Sequence, residues 1–145
     1  MRVYLAAAWS RKDEIKKIAD ELISLGINIQ SRWLSEPAIF PADVSKAMFL
    51  QQRAEIDEED ILECTILVRF SDDLSTEFVP AHLATGSRMY EMGLARLNGA
   101  QLVVVGGHQC VFDYLAEVYH CPTVEDLKDF LCGWREACIV VGEEK

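Results

Sequence analysis

Gly86-Ser87-Arg88-Met89-Tyr90-Glu91-Met92-Gly93-Leu94-Ala95, followed by Gln101-Leu102-Val103-Val104-Val105-Gly106-Gly107, is the stretch on which the fold turns. A Gly-Ser-Arg turn opens a helix over residues 87–98, Asn98-Gly99 ends it, and an apolar run then reads as a buried strand over residues 102–105. Helix feeding directly into a fully apolar strand is the pattern of a parallel sheet covered on both faces. Within the helix, Tyr90, Leu94 and Leu97 are expected to form the apolar face. Glu91 stands close to the helix start among Met89, Tyr90 and Met92, where the helix dipole is expected to keep a carboxylate ionised. Such a Glu is either an ordinary helix-surface residue or a carboxylate held in a pocket for covalent chemistry.

The same alternation extends outward in both directions. Residues 2–8 form a short apolar run ending in small side chains, Ala6, Ala7 and Ala8, as expected of a buried strand whose carboxyl end comes close to a ligand. Residues 12–25 carry Ile15, Ile18, Ala19, Leu22 and Leu25 at helical spacing, with Gly26 as the stop. Residues 27–33 alternate and predict a second strand. A helix over residues 43–63 is expected to place Ala47, Leu50, Ala54 and Ile61 inward, and residues 65–70 read as the third strand. Residues 71–85 form the longest irregular connection, of a size more often functional than idle. Residues 111–115 predict a short helix, 117–120 a fifth strand and 124–136 a final helix. The expected architecture is one α/β domain over residues 1–145, a three-layer flavodoxin-like unit with a parallel sheet of about five strands. Ligand chemistry is then expected at the carboxyl ends of the strands.

Composition narrows the function classes. The chain has 145 residues, half of them hydrophobic (50%) and about a quarter charged (26%), which is an ordinary globular balance. A net charge of −10 opposes a nucleic-acid polymer as partner but allows a single nucleotide at a local anion site. A first strand starting at Arg2 leaves no room for a signal peptide, and no apolar run suits a membrane span, so a soluble cytoplasmic protein is expected. Five cysteines without a C-x-x-C pair fit reduced, mostly buried thiols rather than a disulfide framework. His108, Cys110, His120, Cys121 and Cys132 match no common closed zinc spacing, so neither a metal nor a cofactor is expected.

The carboxyl-end rule gathers Ala6, Ala7, Ala8 and Trp9, Phe70 to Asp73, Gly106 to His108, and the Gly86-Ser87-Arg88 turn on one rim. That turn resembles an anion seat, with free N–H groups, a hydroxyl and a cation, and Arg11 beside Ser10 offers a second phosphate contact. Asp57 and Asp60 lie three apart in the acid-rich run 55–63, which reads either as a solvated helix face or as a pair of which one points at the rim. Gly106-Gly107 is not a dinucleotide fingerprint, and no P-loop or nucleophile elbow is present.

Taken together, these motifs resemble the nucleoside 2-deoxyribosyltransferase family, including the deoxynucleotide N-glycoside hydrolases. The likeness rests on Val3-Tyr4-Leu5-Ala6-Ala7, on Asp57-x-x-Asp60-Ile61 ahead of the third strand, on the Gly86 to Ala95 block, and on Leu102 to Gly106. The later Val111-Phe112 and Thr123 to Leu127 resemble the tail of one broad branch. The resemblance implies cleavage or exchange of an N-glycosidic bond in a 2′-deoxynucleoside or its monophosphate. Glu91 would be the nucleophile at C1′ and Asp57 the carboxylate that positions the sugar or assists the departing base. Tyr4, Ala7 and Trp9 would line the base pocket, Asp60 would join the substrate contacts, and Gly86, Ser87, Arg88 and Arg11 would reach the 5′ end. A homo-oligomer is also implied, with residues 33–34 and 134–141 as candidate contacts. The chain departs from the family pattern at Ala7, at Cys64-Thr65, at Ser87 and at Met89-Tyr90, and its loop over residues 72–85 is longer. The alternative reading is a nucleotide-binding module of the same fold that does not cleave its ligand, and a third is a nicotinamide-nucleotide glycohydrolase.

Overall fold

A computed structural model describes residues 1–36, 45–72 and 86–143. The elements are β1 (Val3–Ala6), α1 (Lys12–Ser24), α2 (Lys46–Glu63), β2 (Ile66–Phe70), α3 (Gly86–Leu97), β3 (Gln101–Val105), β4 (Val118–Cys121) and α4 (Val124–Glu143). The four strands are parallel in the order β1-β2-β3-β4, with Val3 beside Ile66, Ile66 beside Gln101 and Leu102 beside Val118. Every residue of β1 and β2 is buried. That is why neither strand alternates apolar with polar, although β2 also carries the buried Arg69.

Helices cover both faces. α1 buries Ile15, Ile18, Ala19 and Leu22 and ends at Gly26, whose φ of +81° suits a residue without a side chain. It is tied to α4 by the Glu21–Lys128 ion pair at 2.7 Å and by the Arg135 guanidinium donating to the Leu25 carbonyl. α2 and α3 pack together, with the Tyr90 hydroxyl donating to Glu58. The Ser45 hydroxyl caps α2 by accepting from the Met48 N–H at 3.2 Å. Among the described residues, no helix is long and apolar enough to cross a membrane.

Among the described residues the sheet has four strands rather than about five, because residues 27–33 do not form one. A single parallel bridge joins Ile29 to Val3, after which the chain turns into a short 3-10 helix, Arg32–Ser35. Side chains take over the edge of β1 from there: the Ser31 hydroxyl accepts the Leu5 N–H at 2.8 Å, and the Trp33 indole donates to the Leu5 carbonyl at 2.8 Å. With those two groups satisfied, a further strand has no ladder to extend. The bridge still lies beside β1 on the side away from β2, so the order of a flavodoxin-like sheet is kept with a reduced edge. The strand order reverses at β1, which places a crevice at its carboxyl end.

Other expectations are corrected by packing. On α3 the buried positions are Arg88, Met92 and Ala95, whereas Tyr90 and Leu97 face outward. On α2 only Asp60 and Ile61 are buried, and Ala47, Leu50 and Ala54 are exposed. α4 runs to Glu143, beyond the expected end at residue 136. Of the cysteines, Cys64 and Cys121 are buried and Cys138 is exposed. Trp33 and Leu34 are core residues, while Trp134 and Ile139 are exposed. The long connection over residues 73–85 and the start expected for α2 lie outside the described residues.

Candidate active site

A cleft of about 490 Å³ opens at the carboxyl end of β1. Tyr4, Ala6 and Ala7 form its floor, and Trp9, Trp33 and Glu36 come from the segments around α1. The α2 helix presents Leu50, Arg53, Ala54 and Asp57, while α3 presents Ser87 and Glu91. The α2 residues follow i, i+3, i+4, i+7 spacing, the stripe that one helix face presents. Sequence reasoning took Leu50 and Ala54 for core, since a stripe facing a cleft has the same period as one facing a hydrophobic interior. Arg53 and Glu36 went unnoticed, although Arg53 lies one turn before Asp57 on that same face.

Two carboxylates from different helices meet in this cleft. Glu91 Oε2 and Asp57 Oδ1 are buried and have no hydrogen-bond partner among the described residues. Burial, followed by the charge of Asp57, pushes the Glu91 carboxyl up to about 8 against the opposing pull of Arg88. Asp57 is pushed up to about 6, first by burial and then by Glu36 and Asp60, while a hydrogen bond from the Tyr4 hydroxyl and the charge of Arg32 oppose the rise. Burial and then the nearby Glu91 and Asp57 raise Tyr4 in turn, so it stays a hydroxyl donor. The expectation that a helix dipole keeps Glu91 ionised is therefore corrected. Glu91 lies beyond the first turn of α3, where the dipole fades, and desolvation next to a like charge outweighs what remains.

Trp9 is 43% exposed at the cleft, with its ring flanked by aromatic and cationic neighbours. Its ring centroid is 6.1 Å from that of Trp33, Lys12 Nζ lies 4.6 Å from it, and the Arg53 guanidinium carbon lies 5.0 Å from it. Arg53 also stacks 4.0 Å over Phe49, and its Nε meets Glu36 Oε2 at 2.8 Å. The cation is thus shared between two rings and a carboxylate at the mouth of the cleft.

Of the residues expected at the site, the structure brings Tyr4, Ala7, Trp9, Asp57, Ser87 and Glu91 to the cleft. Gly86 opens α3 behind Ser87. Three others are turned elsewhere. Arg88 is 1% exposed and grips Asp72 with both terminal nitrogens at 2.7 Å. Arg11 donates to Glu14 at 2.6 and 2.9 Å and to the Ser71 carbonyl. Asp60, also 1% exposed, accepts the Arg32 N–H at 2.9 Å and Arg32 Nε at 2.8 Å, anchoring the 3-10 turn that replaces the expected strand. Each has found a carboxylate or backbone partner distant enough in sequence, or tight enough in geometry, to hold it away from the cleft. Among the described residues, the partners of Arg88 and Arg11 are these groups rather than the cleft.

Neither a protein-family model nor a curated protein matches the chain in sequence. Among solved structures, the Clostridium botulinum CMP N-glycosidase BcmB is similar, with a TM-score of 0.56 over 90% of this chain and 98% of that one, at 15% identity. Identity that low speaks for architecture alone: the two chains share an α/β fold.

Proposed function

We propose that this protein breaks or exchanges the N-glycosidic bond of a nucleoside or nucleotide, with a 2′-deoxynucleoside or its monophosphate as the substrate class and Glu91 as nucleophile. The observation that carries the reading is the pair of buried carboxylate oxygens, from Asp57 on α2 and Glu91 on α3, without a hydrogen-bond partner among the described residues at one cleft that Trp9 also lines. The likeness of fold to a CMP N-glycosidase supports it.

The electrostatics supply the proton such a reaction needs. With one carboxyl raised to about 6 and the other to about 8, the pair holds one proton between them near neutrality. Charge developing on the sugar favours ionised Glu91, so the proton passes to Asp57 as the bond weakens. Glu91 forms a bond to C1′, the C1′–N bond breaks with its electron pair leaving on the base, and Asp57 protonates that base. Water or a second base then resolves the glycosyl-enzyme, with Asp57 as the returning base. Trp9 stacks on the base, Tyr4 orients Asp57, and Ser87 meets the 5′ end. A homo-oligomer is part of this reading, with the exposed Trp134 and Ile139 on α4 as contacts.

The test is incubation of purified protein with a panel of deoxynucleosides and monophosphates, with and without an acceptor base. Free base alone identifies a hydrolase, and exchanged base identifies a transferase. Glu91→Ala should lower turnover by a factor of about 10³ or more. Ligand retained intact by wild type and Glu91→Gln alike would overturn the catalytic reading in favour of a binding module.

A further inference from the structure

Behind the cleft runs a chain of buried and partly buried polar groups that the reaction itself does not use. Arg69 sits within β2, where its neighbours are apolar, and is 0% exposed. Its Nη2 meets Asp113 Oδ2 at 2.5 Å, and its Nη1 donates to Gln109 Oε1. Asp113 also accepts the N–H groups of Gln109 at 2.6 Å and Cys110 at 3.2 Å. Gln109 Nε2 donates to Asp72 Oδ2 at 3.0 Å, and Asp72 receives both Arg88 nitrogens. Arg88 Nη1 also donates to the Phe70 carbonyl at 3.3 Å. The chain therefore links the carboxyl ends of β2 and β3 to α3, three residues before Glu91.

We infer that Arg88 and Asp72 are positioning residues: braced by Gln109, Arg69 and Asp113, the pair sets the register of α3 on the sheet and the net charge beside Glu91. This inference rests on the reading of Glu91 as the reactive carboxylate. Apolar side chains of similar volume would pack α3 against the sheet at less desolvation cost than an ion pair whose guanidinium is buried and whose carboxylate is partly so. What an ion pair adds is geometry, because a bidentate guanidinium–carboxylate fork accepts a narrow range of approach. A shift of one residue along α3 would turn Glu91 about 100° away from the cleft.

Asp72 tunes charge as well as position. Although partial burial opposes it, the hydrogen bonds from Arg88 and Gln109 hold the Asp72 carboxyl below the ordinary range, so Asp72 is ionised and offsets Arg88. The groups facing Glu91 are Asp57 from α2, Tyr4 from β1 and Arg88 from α3 itself. Among the described residues, Arg88 is the cation that acts on Glu91. Removing either member of the Arg88–Asp72 pair should therefore move Glu91 in opposite directions.

The experiment is a carboxyl-carbon NMR titration of Glu91 in the unliganded protein, assigned with Glu91→Gln. Asp72→Asn keeps a hydrogen-bond acceptor for Arg88 but removes one negative charge beside it, so Glu91 should titrate lower by about one pH unit. Arg88→Gln removes the cation and leaves Asp72 ionised, so Glu91 should titrate higher by about one pH unit. A Leu127→Ala variant, which loses core packing on the other side of the sheet, should leave the Glu91 titration where it was. Shifts of the same sign, or none, would overturn the inference. Should Arg88→Gln not fold, the Asp72→Asn shift alone decides. The titration needs no substrate, so failure to cleave any N-glycoside would sink the proposed function while leaving this inference to its own result.

Discussion

Replacing Glu91 with glutamine should stabilise the fold, and the gain should grow as the pH rises. In the unfolded chain the Glu91 carboxyl ionises near its ordinary 4.5, whereas in the folded protein burial and Asp57 hold the proton to about 8. Between those values the folded state binds more protons than the unfolded one, so stability falls with increasing pH. Below the lower value both states are protonated and the wild type has its full stability; above the upper value both are ionised and the loss is complete. At about 1.4 kcal/mol per pH unit, the gap bounds the loss at about 5 kcal/mol. Asp57 shares the proton and relaxes once its neighbour is neutral, which reduces the expected advantage of Glu91→Gln to about 3 kcal/mol at pH 8.5. At about pH 4.5 the variant and the wild type should be close to equal. Denaturant unfolding of both proteins across this range measures the difference without any knowledge of the substrate. Parallel curves, with the same difference at both ends, would mean that Glu91 is solvated in the folded protein, and the argument for a shared proton would fall with it.

Trp9→Ala should raise KM about tenfold with little change in kcat and a fold that unfolds as before, since stacking on one base is worth about 1–3 kcal/mol and Trp9 is largely outside the core; an unchanged KM removes Trp9 from base binding. Tyr4→Phe should let the Asp57 carboxyl climb above about 6, because the hydroxyl that favours its ionised form is gone. A titration of Asp57 that does not move would refute the Tyr4 contact. Asp60→Ala should cost about 2 kcal/mol in unfolding experiments, with Arg32 losing both of its bonds to that carboxylate. A change of a few tenths would show that the turn after Ser31 holds without it.

Hydrophobic period was enough to read an α/β chain with a parallel sheet, because strands buried on both faces are continuously apolar and the helices between them are not. Glu91 stood out in the sequence as a lone carboxylate among apolar residues near a helix start, and Asp57 only through the family resemblance, since its acid-rich run reads equally as a solvated face. Period reports that one face of an element is covered without saying what covers it. Leu50 and Ala54 therefore read as core when they border a cleft, and residues 27–33 read as a strand although Ser31 and Trp33 side chains close the edge of β1. A cation in the sequence is likewise an open question until its partner is placed. Arg88 looked like a phosphate contact beside Ser87, and only the folded chain brings Asp72, sixteen positions earlier, into its fork. Whether Glu91 is ionised was decided the same way. The helix start suggests a charge, but burial and the approach of Asp57 from a second helix set its proton affinity, and both are properties of elements meeting in space.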